Sequence, residues 1–221
     1  MNPFPVVAKI SLLLVSVCCL LSITASGQKN PMVYQHIFQT DPWLKYWAGK
    51  LPHFDLSAFQ YIRTSDFENR LEDDHLSDND REFQQTFGKL ISYTPDKKMY
   101  LDFYSAMMVF DTVRAKGKIT VTPVFDVDQY LFIGDYRRHT LKRLMVMEFS
   151  DGLEEAAWLS DSTFILVGTK HDGDYCYPFI YIGNLKRQKF DYYLLKSKNH
   201  IPNRIYRSLK WNRLKNVKFE E

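Results

Sequence analysis

Two stretches decide how this chain folds: YLFIGDYRRHTLKRLM, residues 130–145, and FIYIGNLKRQKFDYYL, residues 179–194. Each contains an apolar core that ends in Ile-Gly, then a polar turn rich in Arg and Lys, then a second run with strand character. Further upstream each has a matching opening. Tyr93-Thr94-Pro95-Asp96-Lys97-Lys98 precedes MYLDFYS, and Trp158-Leu159-Ser160-Asp161-Ser162-Thr163 precedes FILVGT. In both, an aromatic residue stands before a turn built on Asp, and a strand follows. The spacing predicts two degenerate copies of one four-stranded antiparallel unit.

The rest of the chain is read around those copies. From Lys89 onward the apolar period is two. LISYT, MYLDFYS, KITVTPVF, QYLFIGDY, KRLMVM, TFILVG, PFIYIG and KFDYYLL are short, rich in β-branched and aromatic residues, and separated by turn residues. The predicted fold is therefore mainly β, an antiparallel meander over 89–195. Between Pro31 and Gly88 the spacing is irregular to helical. DPWLKYWAGKLP (41–52) reads as a short helix with Asp41 as its cap and Pro42 in the first turn. EFQQTFGK (82–89) suggests another, and the acidic stretch 66–82 reads as an exposed loop. NRIYRSLKWNRLKNVKFEE (203–221) is open between helix, which Ile205 and Leu209 fit, and strand, which Leu209 and Trp211 fit; a helix followed by a short strand at Val217–Phe219 is favoured. One mainly-β domain over 28–221 is expected: a helical or irregular lead-in (28–88), the meander, and a basic tail (196–221).

YTPDKKMYLDFYS and WLSDSTFILVGT resemble the blade opening of TolB-like β-propellers, an aromatic-Ser-Pro-Asp-Gly-Lys turn that leads into a strand. Lys97 and Ser162 stand where that motif has Gly, and Ser160 stands where it has Pro. The resemblance covers about residues 90–195. A closed propeller needs typically 4–8 blades, so two copies imply an open or face-packed arrangement instead. The N-terminal helices and the tail would cover its edges.

Ahead of this domain, Ile10 to Ile23 is an uncharged apolar run preceded by Lys9 and followed by Ala25-Ser26-Gly27. It is shorter than the roughly 20 residues a spanning helix needs and fits the apolar region of a secretory signal, about 7–15 residues. Residues 1–27 are expected to be a signal peptide cleaved between Gly27 and Gln28, which gives a secreted or periplasmic protein. Neither Cys18 nor Cys19 has Gly, Ala or Ser immediately before it, unlike lipidation sites of bacterial lipoproteins. Membrane association would require such lipidation or an uncut signal. After cleavage Cys176 is the one remaining cysteine, so stability must come from packing rather than an internal disulfide.

Charge is unevenly distributed. Residues 66–82 carry eight acidic and two basic side chains, and residues 186–218 carry eleven basic side chains and one acidic, Asp191. The basic residues alternate with Phe190, Tyr192, Leu194, Leu209 and Trp211, as on a solvated face over a buried one. Export argues against a nucleic-acid partner.

Chemistry-bearing motifs are scarce. Gly-x-Ser-x-Gly, His-Glu-x-x-His and Cys-x-x-Cys do not occur. Gly168 and Gly173 have phosphate-loop spacing, but Asp174 stands where a lysine is required. Asp78-Asn79-Asp80 lacks the glycine and terminal glutamate of a calcium loop. His171, Asp172, Asp174 and Cys176 of HDGDYC (171–176) could offer mixed ligands to a metal, but the preferred reading is a hairpin in which Asp172-Gly173 supplies the turn and Cys176 is a small residue entering the next strand. No catalytic residue, cofactor or metal ligand is assigned. The expected function is a non-catalytic exported module that recognises a protein or glycan. The alternative is an extracytoplasmic hydrolase whose acid and base lie among the carboxylates.

Overall fold

The computed structural model describes residues 29–71, 87–105, 108–115, 118–125, 128–147, 150–195, 201–204 and 206–214. The N-terminal segment expected to be a signal, most of the acidic stretch, most of EFQQTFGK and Val217–Phe219 lie outside the described residues.

Asp41 starts the main helix as the sequence demands. Its carboxylate accepts from the backbone N–H groups of Trp43 and Leu44, and Pro42 occupies the first turn. This helix, α2 (Pro42–Gly49), follows a shorter one, α1 (Gln35–Thr40). The lead-in then departs from the helical expectation. Phe59–Asp66 is a strand, β1, and Arg70–Leu71 is a second, β2, so the start of the acidic stretch is sheet edge rather than loop. The reason is tertiary: β1 pairs along β12, with Phe59 opposite Leu195 and Asp66 opposite Lys189.

The remaining strands in chain order are β3 (Ser92–Tyr93), β4 (Met99–Asp102), β5 (Met108–Ala115), β6 (Lys118–Phe125), β7 (Gln129–Asp135), β8 (Thr140–Met147), β9 (Asp151–Ser160), β10 (Thr163–Asp172), β11 (Tyr175–Asn184), β12 (Lys189–Leu195) and β13 (Ile201–Pro202). They form two antiparallel sheets, neither closed. The first runs β1-β12-β11-β10-β9, with β13 added to β11. The second runs β2-β8-β7-β4-β3, and β5 and β6 make a separate ribbon. Each sheet is thus a four-stranded meander, β9 to β12 or β3-β4-β7-β8, with one strand from 59–71 appended to its last member. The two predicted copies are real structural repeats.

Across β4–β7 and β10–β11 the registers match residue for residue. Tyr100 faces Gly134 across β4 and β7, and Phe164 faces Gly183 across β10 and β11. Each ring lies over the glycine opposite it, where a Cβ would collide with the ring. After each glycine comes an Asx whose carbonyl or carboxylate oxygen caps the turn: Asp135 accepts from the Arg137 and Arg138 N–H groups, and Asn184 from that of Arg187. The fourth turn residue is left-handed in both, His139 at φ 49° and Gln188 at φ 54°.

The sheets pack face to face. Leu101, Leu131, Ile133 and Leu144 from one meet Leu166, Phe179, Tyr181 and Phe190 from the other in a single core. On its far side the first sheet carries a second core, where Leu44, Trp47 and Ala48 of α2 lie against Ala157, Ile165, Val167, Ile180 and Ile182. The first sheet is therefore buried on both faces, which explains the continuous apolar runs FILVG and FIYIG. The other sheet is partly exposed on its outer side. A 3-10 turn, Leu209–Arg213, closes the described chain where a longer helix was expected. Among the described residues no helix is long and apolar enough to cross a membrane.

Candidate functional site

At one end of the sandwich the two repeat turns converge, with the corner between β1 and β2 beside them. A cleft of about 140 Å³ opens there, lined by Phe67 and Asn69 of the corner, Met99, Ile133, Asp135, Arg138, Thr140, Lys142 and Leu144 of one sheet, and Leu185 and Gln188 of the other repeat's turn. Its floor is the end of the shared core. Phe67 packs on Phe190 at 4.4 Å between ring centroids, and Leu144 is almost fully buried. Its rim is polar because alternation along β8 places Thr140, Lys142 and Leu144 on one face, so an inward row that begins apolar ends in an ammonium group.

The neighbouring charges are mostly satisfied. Arg143, one residue on and facing outward, pairs with Glu68 at 2.6 Å; Lys189 pairs with Asp66 at 2.8 Å. Arg138 lies 3.8 Å from Asp135, whose other oxygen is occupied by backbone N–H groups. Gln188, which lines the cleft, accepts at Oε1 from the Asn69 amide, 3.4 Å away, so its own NH₂ is not used in that bond. The Lys142 ammonium and the Thr140 hydroxyl make no hydrogen bond or ion pair with any described residue. The uncommitted donors around the cleft are an ammonium, a guanidinium with one distant counter-charge, an amide NH₂ and a hydroxyl; the Asn69 amide oxygen and the second Asp135 oxygen are acceptors on the same lining.

A second polar cluster lies under the tail. The pairing of β9 with β10 slips between Val167, opposite Glu155, and Gly168, opposite Leu153, so Glu154 is an inserted bulge residue. The bulge lets two consecutive carboxylates engage groups on the helix and tail side. Glu154 accepts from Trp47 Nε1 at 2.5 Å, Thr169 Oγ1 at 3.0 Å and Arg204 at 2.8 Å. Glu155, wholly buried, accepts from Tyr206 at 2.8 Å and from Ser208. Its other oxygen is 2.9 Å from the buried Lys210 ammonium, without hydrogen-bond geometry, so that contact is ionic. Burial pushes the Glu154 carboxyl above its ordinary range, opposed chiefly by Arg204. The basic tail thus turns two of its cations inward onto Glu154 and Glu155.

The HDGDYC residues are placed differently from a metal site. β10 and β11 run on through the segment, and the turn is Gly173-Asp174 between Asp172 and Tyr175, with Gly173 at φ 58°. His171 Nδ1 is 2.9 Å from Asn203 Oδ1, while Cys176 is buried against the Pro202 carbonyl and its thiol is pushed up by burial. No group of three or more His, Cys, Asp or Glu among the described residues is arranged to hold a metal.

Sequence reasoning passed over Lys142, Glu154 and Glu155. The available signals were a lysine in an inward row of TLKRLM and two glutamates inside the strand DGLEEAAWLS, whose Glu and Ala content favours helix. Comparison with family models, curated proteins and solved structures finds no match to this chain.

Proposed function

We propose that this chain is an exported, non-catalytic binding module that takes part of its ligand into the cleft between the two repeat turns. The observation that carries the reading is the half-buried Lys142 at the end of a core-facing row, whose ammonium has no partner among the described residues. An ammonium placed there without a counter-ion is unfavourable for folding alone and is suited to meeting a ligand. Two repeats contribute equivalent turns to one mouth, as expected where loops on a rigid β scaffold carry recognition. Glu154 and Glu155 have their cations built into the fold, which fits a structural role better than proton transfer. The blade-like repeats agree with an interaction role, and the apolar run ahead of the domain agrees with export.

The test is titration of the full chain after the apolar N-terminal run, followed by amide chemical shifts, with small molecules and peptides of varied charge. Shifts centred on Asn69, Asp135–Lys142 and Leu185–Gln188 are expected. A map centred elsewhere would remove the cleft from the proposal.

A hydrolase is the second reading, favoured only by the raised Glu154 carboxyl. A hydrolase panel with wild type and Glu154→Gln decides it: activity lost in a variant that still folds would replace the binding-module reading.

A further inference from the structure

We propose that the cleft is a carboxylate site, taking an acid group borne on an apolar body of about benzene size. The inference rests on the binding-module reading and specifies its ligand. Size comes first: the space is about 140 Å³, and an apolar cavity of about 150 Å³ accommodates benzene. The floor of Phe67, Met99, Ile133, Leu144 and Leu185 would receive an apolar group, whereas a free sugar would leave its hydroxyls facing hydrocarbon.

Charge fixes the rest. Among the described residues Lys142 has no counter-ion, and the Arg138 guanidinium is 3.8 Å from a carboxylate oxygen of Asp135. Counting these three side chains, the lining carries two positive charges and one negative, a surplus of one. That surplus matches a monoanion and leaves a phosphate dianion with an uncompensated charge beside Asp135. Thr140 and the Gln188 NH₂ add neutral donors on the same rim, so both carboxylate oxygens can be satisfied. The apolar body enters toward Phe67 and Leu144, and the acid stays at the mouth with Lys142 and Arg138.

Such an acid reaches the cleft from either of two sources: a free small carboxylic acid, or the C-terminal residue of a peptide with an apolar side chain. The probes are phenylacetate, its neutral isostere phenylacetamide, inorganic phosphate, and acetyl-Gly-Gly-Phe as free acid and as amide. Each is titrated into the wild-type chain and into Lys142→Met and Lys142→Arg at low salt, and binding is read by calorimetry and amide shifts. Phenylacetate is expected to bind about tenfold more tightly than phenylacetamide, with phosphate weaker than phenylacetate. Lys142→Met should abolish the preference for acid over amide, and Lys142→Arg should keep it. Circular dichroism should show both variants folded; if Lys142→Met is not, Arg138→Ala carries the same test. Tighter binding of the peptide acid than of phenylacetate identifies a peptide terminus as the source, and the reverse identifies a free acid. Equal affinity for phenylacetate and phenylacetamide at the cleft overturns the carboxylate assignment and leaves the binding module standing. No shift at the cleft with any probe overturns both.

Discussion

Gly183 has no side chain because the Phe164 ring fills the space where its Cβ would stand, and Gly134 stands in the same relation to Tyr100. Both rings are buried to within 1%, so neither can swing away into solvent. Gly183→Ala should destabilise the protein by about 1–3 kcal/mol through overpacking, read as a lower denaturation midpoint at unchanged slope. Adding Phe164→Leu should recover part of the loss, because it vacates the same volume. A Gly183→Ala variant as stable as wild type would contradict the packing described. In the opening turn of the first repeat, Asp96 accepts from the Thr94 hydroxyl and the Lys98 N–H, and the carboxyl is held down to about 2 from 3.8. A depressed carboxyl stabilises the fold above its unfolded value, and the effect fades as pH falls through the folded one. The stability gap between wild type and Asp96→Asn should therefore be present at neutral pH and close as pH falls from about 4 to about 2, followed by denaturant midpoints across that range. A gap independent of pH would mean the turn does not depend on the ionised form.

At the scale of elements, the tail is held by charge as well as by apolar contact. Lys210 is buried beside Glu155 and lies 5.7 Å from the centre of the Trp43 ring, while Arg213 stacks on the same ring at 4.2 Å. Removing one member leaves the other ion buried and unpaired. Glu155→Ala should cost about 3–5 kcal/mol, whereas Glu155→Leu with Lys210→Met should recover most of it. The double variant still strands the Tyr206 and Ser208 hydroxyls, so recovery is expected to be incomplete. Thermal melts of the three proteins measure this, and equal loss in single and double variants would show that the pair contributes no coupling. The same elements mark where local sequence signals stop. α2 was legible because Asp41, Pro42 and the apolar spacing act within a dozen residues. β9 was not, because DGLEEAAWLS becomes a strand only through its pairing with β10 and its burial against both cores.

At the scale of the whole molecule, neither repeat owns its core. Leu101, Leu131 and Leu144 are sealed by Leu166, Phe179 and Phe190, and the chain between β1 and β2 hands one edge strand to each sheet. The first repeat expressed alone, residues 87–147, should accordingly show no cooperative unfolding transition by circular dichroism, and should regain one only with the remainder of the domain. A cooperative transition in the isolated fragment would show that the repeats are independent domains. Ligands of the cleft should likewise stabilise the intact chain alone, since its lining is drawn from both repeats and from the corner at Phe67 and Asn69.

The sequence by itself determined the strands from β10 to β12, the α2 cap, and the internal duplication, because hydrophobic period, turn chemistry and repetition are properties of contiguous residues. It also showed the basic turns that rim the cleft, though not that they meet. The lead-in was legible only in part: β1 looked irregular because half its reason for being extended is β12, more than a hundred residues away. The convergence of Lys142 with Gln188 and Asn69, and the burial of Glu154 and Glu155 under Arg204 and Lys210, were decided in three dimensions. Such polar clusters have no local period or motif, since their partners come from separate segments and their energetics depend on burial that only the packed sheets create.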